Sequence, residues 1–74
     1  MPFIHVRAYS GRDMETKVKA AQAMVKAASE AMGAPESAFT VAYQDVDRES
    51  WEQEAKPIVD ALEDKLIIKQ GNLV

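Results

Sequence analysis

The residue with the most chemistry to offer is the second. Pro2 directly follows Met1, and its small side chain is compatible with removal of that methionine. Removal leaves a secondary amine at the head of the chain. An α-amino group titrates near 8, and burial or nearby cations lower that value toward neutrality. Such an amine is a general base poised at working pH. With Met1 still attached, the same nitrogen belongs to a tertiary amide and has no basic lone pair. The remaining inventory is thin. His5, the single histidine, reads as an exposed or hydrogen-bonded strand residue. Asp45, Asp47 and Glu49 read as solvated or capping residues before they read as an acid/base pair. There is no glycine-rich phosphate loop, no nucleophile–His–Asp set and no metal-ligand spacing.

Something must hold that amine in place, and hydropathy period identifies the elements. Residues 3–9 alternate, with Ile4, Val6 and Ala8 on one face and Phe3, His5, Arg7 and Tyr9 on the other, as in a half-buried strand. Asp13 is a plausible helix N-cap. Met14, Val18, Ala21, Val25, Ala28 and Met32 then recur at four- and three-residue steps, the stripe of an amphipathic helix. Gly33 and Pro35 end it. Residues 39–44 return to period two. Strand, long helix and strand make one βαβ unit with parallel strands. Beyond it, Ser50 and Gln53 have the spacing of a capping box, and Pro57 either kinks the following helix or opens a second one. Residues 67–74 read as an arm or edge strand.

Length and composition narrow the setting. The whole chain, residues 1–74, is read as one domain. A core this small usually needs disulfides, a metal or a partner chain. There is no cysteine, which removes disulfides, and one histidine without a thiolate cannot close a zinc site. Two strands and one long helix also leave a sheet face uncovered. An obligate oligomer is therefore expected. Nine basic and twelve acidic residues give a net charge of −3, which argues against a nucleic-acid partner. No membrane span and no signal peptide are read, and the expected location is cytoplasmic.

The opening Met1-Pro2-Phe3-Ile4-His5-Val6, the Gly11-Arg12 pair after the first strand and the Gly33-Ala34-Pro35 segment before the second together resemble the 4-oxalocrotonate tautomerase family. Glu49-Ser50-Trp51, Lys56-Pro57-Ile58 and the leucine-lysine tail are similar to its dimeric bacterial branch with an extended C-terminus. The resemblance runs the length of the chain. It implies an α/β (α+β) fold: a β-α-β subunit with parallel strands, a long crossover helix and a C-terminal helical segment. It also implies a homo-oligomer, with a dimer favoured over a hexamer, and a tautomerase that needs no cofactor or metal.

Residue by residue, the resemblance makes Pro2 the catalytic base. It makes Arg12 the guanidinium that binds a substrate carboxylate, and Trp51 the aromatic wall of the site. Thr40 stands where the family carries a second arginine. A hydroxyl donates one hydrogen bond but neutralises no carboxylate, so the implied substrate is an unsaturated or aryl 2-keto monoacid in preference to a diacid. Arg7 or Arg48 remains as a source of the missing charge. Water-activating residues of related dehalogenases and decarboxylases are not recognisable. The alternative is a non-catalytic oligomeric binding module on the same scaffold.

Overall fold

The computed structural model describes residues 1–74. β1 (Phe3–Tyr9) runs into α1 (Met14–Met32), and β2 (Thr40–Val46) returns parallel to β1 with Phe3 opposite Thr40 and Tyr9 opposite Val46. The expected βαβ unit is present. Asp13 caps α1, its carboxylate accepting the Thr16 N–H at 2.9 Å. Gly33 ends it in the left-handed conformation at φ 70°, the conformation in which a Cβ is strained.

The two sheet faces are covered differently. α1 lies over the face carrying Val41 and Tyr43, with Lys17 reaching Asp45 at the end of β2. The opposite face was expected to await a partner chain. Part of it is instead covered by the chain's own C-terminal helices, α2 (Trp51–Glu54) and α3 (Lys56–Ala61), which meet His5, Arg7 and Tyr9. Pro57 opens α3 from its first turn, where its missing N–H costs nothing. The capping box does not form: Ser50 has helical backbone angles and makes no side-chain cap bond. A 3-10 turn over Arg48–Ser50 already leads into α2, so the Ser50 backbone has no extended conformation from which to cap.

The tail folds as a hairpin of β3 (Ile68–Lys69) and β4 (Asn72–Leu73). Gln70 and Gly71 both have positive φ, 49° and 83°, which matches the twist of a two-residue hairpin turn. No helix is long and apolar enough to cross a membrane.

Two residues are fully enclosed, Val46 at 1% and Ala55 at 2% exposure, while Phe3 stays 62% and Leu73 83% exposed. The accessible surface is 5793 Å², roughly 1,250 Å² more than a compact monomer of this mass presents. The radius of gyration of 13.5 Å likewise exceeds the value of about 11 Å for a compact chain of this length. The subunit is flat and leaves much of its apolar surface open to water.

Candidate active site

Alternation along β1 puts His5, Arg7 and Tyr9 on the face that α2 and α3 approach. Between them lies a cleft of about 290 Å³. His5, Arg7 and Trp51 form its polar and aromatic side. Ala55, Ile58, Val59, Leu62 and Leu66 form its apolar wall. The short helices exist where they do because Trp51 anchors them. Its ring meets Tyr9 edge to face, with centroids 4.9 Å apart, a favoured aromatic geometry. The Arg48 guanidinium lies 4.5 Å over the Tyr9 ring, close enough for cation–π attraction.

Arg7 is the cation of the cleft. Its Nη1 donates to the Glu54 carbonyl at the end of α2, at 2.8 Å, which ties the sheet to the helix. Its Nε is buried without a hydrogen-bond partner. His5 Nε2 lies 3.3 Å from Gln44 Oε1, and the His5 ring stacks on Phe3.

The expected site residues do not converge within one chain. Trp51 lines the cleft; Pro2, Arg12 and Thr40 stand outside every concavity of the subunit. Pro2 is half-buried at the head of β1, and its carbonyl accepts the Thr40 N–H at 3.1 Å. Those two residues are therefore neighbours. Arg12 lies past the other end of β1, exposed, with Nη1 donating to the Tyr9 carbonyl at 3.2 Å. Six steps of strand separate the ends of β1, a distance of about 20 Å. Asp45 and Asp47 are engaged structurally, by Lys17 and by the Ser10 hydroxyl at 2.7 Å.

Residue types offer Arg7 only as one of two possible sources of charge, beside Arg48; the alternation of β1 puts it on the same face as His5 and Tyr9, but not in a cleft. The missing signal was the path of α2 and α3, which no periodicity in so short a segment defines.

A β-α-β subunit with parallel strands, a long helix and a C-terminal helical segment is consistent with a tautomerase fold. A family model described as "Tautomerase enzyme" matches residues 2–61, and the chain belongs to that family. The match begins at Pro2 and ends before the hairpin. No curated protein and no solved structure matches the chain.

Proposed function

We propose that this protein is a keto-enol tautomerase, an isomerase acting on unsaturated or aryl 2-keto monoacids with Pro2 as its base. The observation that carries the reading is the position of Pro2. The family match starts at this residue, Met1 before it is 99% exposed, and its carbonyl is pinned to β2 by the Thr40 N–H. Met1 is thus open to removal, while the nitrogen that removal would free is held at a fixed point of the sheet.

The reaction balances without a cofactor. The lone pair of the Pro2 nitrogen takes the enol hydroxyl proton, the O–H electron pair becomes the carbonyl π bond, and the carbon–carbon π pair accepts the proton back from nitrogen. Arg12 orients the substrate carboxylate through a planar fork, and Trp51 bounds the flat conjugated body. With Pro2 and Arg12 at opposite ends of a strand about 20 Å long, the complete site takes two chains. Each strand of the two-stranded sheet has a free edge. Antiparallel pairing of two copies along β1 brings the head of one strand beside the end of the other. The excess of exposed apolar surface supports a homo-oligomer, of which a dimer is the smallest sufficient form. A cytoplasmic location fits the lack of a membrane-crossing helix.

The test is the ultraviolet-monitored ketonisation of phenylenolpyruvate by protein whose intact mass shows Met1 removed. Pro2→Ala is expected to lower kcat by roughly 10²-fold or more, the usual contribution of general base catalysis. Wild-type turnover in Pro2→Ala would sink the proposal. One observation favours a second reading, a binding module without catalysis. The Trp51 cleft is complete in one chain without Pro2, and a folded Met1-free protein that binds acids but turns none over would establish it.

A further inference from the structure

We infer that Arg7 is a carboxylate ligand in the Trp51 cleft, which makes that cleft a site for small monocarboxylic acids with a flat apolar body. The inference deepens the tautomerase reading and rests on it only for the chemistry that follows binding.

Three observations converge on Arg7. First, it is a half-buried cation with no anion. Five lysines stand in ion pairs with Asp or Glu, and no carboxylate lies within reach of the Arg7 guanidinium. Removing a guanidinium from water without a counter-charge is costly, and an anionic ligand offsets that cost. Second, most of its donors are free. A guanidinium carries five N–H groups; one meets the Glu54 carbonyl, and Nε is enclosed without any partner. Nε is enclosed and out of a ligand's reach, so a carboxylate meets the guanidinium through the remaining Nη1 and Nη2 hydrogens, a charge-assisted contact.

Third, the wall opposite is shaped for an apolar body. Ile58, Val59, Leu62 and Trp51 line the cleft. The cavity of about 290 Å³ is at the lower edge of the range for small-molecule sites. One cation, one aromatic ring and an aliphatic wall select a single negative charge attached to a hydrocarbon. Six of the eight lining residues are apolar and Arg7 is the one guanidinium among them, so the cleft favours one carboxylate over two.

Trp51 is the only tryptophan and lines this cleft, so its fluorescence reports binding there; it also borders a neighbouring concavity with Lys56 and Lys69, and the Arg7 variants separate the two. The probes are phenylacetate and its neutral isostere phenylacetamide, titrated against wild-type protein, Arg7→Gln and Arg7→Lys. Wild type is expected to bind the acid at least tenfold more tightly than the amide. Arg7→Gln should lose that preference, and Arg7→Lys should recover part of it. Equal binding of acid and amide by wild type overturns the inference, whether or not Arg7→Gln folds. So does an undiminished preference in a folded Arg7→Gln protein. Binding needs no free proline, so protein retaining Met1 should give the same titration. Failure of Pro2 catalysis is in this way separated from failure of Arg7 binding.

Discussion

Five of the six lysines are paired with carboxylates along the surface, whereas none of the three arginines is. Exposed lysine pairs contribute little to stability, and they are spread over α1, α3 and the tail. The arginines gather instead near β1. Arg7 is in the cleft, Arg12 is beyond the end of the strand, and Arg48 is over Tyr9. Aspartates divide in a similar way, and Asp13 is the one with a readable titration. The Thr16 backbone N–H, followed by the Thr16 hydroxyl, stabilises its charged form and lowers its pKa below the ordinary value of 3.8. A carboxylate with a depressed folded pKa contributes stability that is fully present above its unfolded pKa. That contribution is lost as pH falls through the folded value. Asparagine can cap the same helix without titrating. The thermal midpoint of wild type should therefore exceed that of Asp13→Asn at pH 6, and the gap should shrink as pH is lowered below 3.8. A gap that widens in acid would show that the cap bond is not what holds the carboxylate ionised.

Among the elements, those built on a repeating period were legible and those built on single contacts were not. β1 reads from its alternation and α1 from its stripe. The Asp13 cap and the Gly33 stop are local chemistry that long-range packing did not override. Pro57 was correctly narrowed to two roles, and the structure takes the one in which it opens α3. Ser50 misled because a capping box needs an extended N-cap backbone as well as the right spacing, and the preceding 3-10 turn withholds it. The hairpin was also not legible. Its turn requires positive φ at Gln70, a residue type that rarely adopts it. The candidate site divides along the same line. Pro2, Arg12, Trp51 and Thr40 were named from motif positions, but only the path of α2 and α3 reveals the cleft that Trp51 shares with Arg7. That path follows from the Trp51–Tyr9 and Arg7–Glu54 contacts, which join residues more than forty positions apart.

At the scale of the whole molecule, the proposed dimer would account both for the open subunit and for the separation of Pro2 from Arg12. In the proposed homo-oligomer, a chain with two fully enclosed residues and 5793 Å² of accessible surface would bury Phe3, Ile67, Ile68 and Leu73 against a copy of itself. A standard interface takes about 800 Å² from each partner. The same association is what would bring Pro2 of one chain to Arg12 of another. If so, inactive Pro2→Ala and Arg12→Gln proteins should complement each other on mixing. With random reassortment into dimers, half the dimers are mixed and one of the two sites in each is intact, so about a quarter of wild-type activity should return. Mixing that restores nothing, with exchange shown by native mass spectrometry, would place both residues of a working site in one chain.

The account depends most on the Pro2 nitrogen being a free amine. Its most direct test is the rate of phenylenolpyruvate ketonisation across preparations that differ only in the fraction of chains retaining Met1, read by intact mass. The rate should be proportional to the methionine-free fraction and extrapolate to zero at complete retention. A rate independent of that fraction would contradict Pro2 catalysis outright.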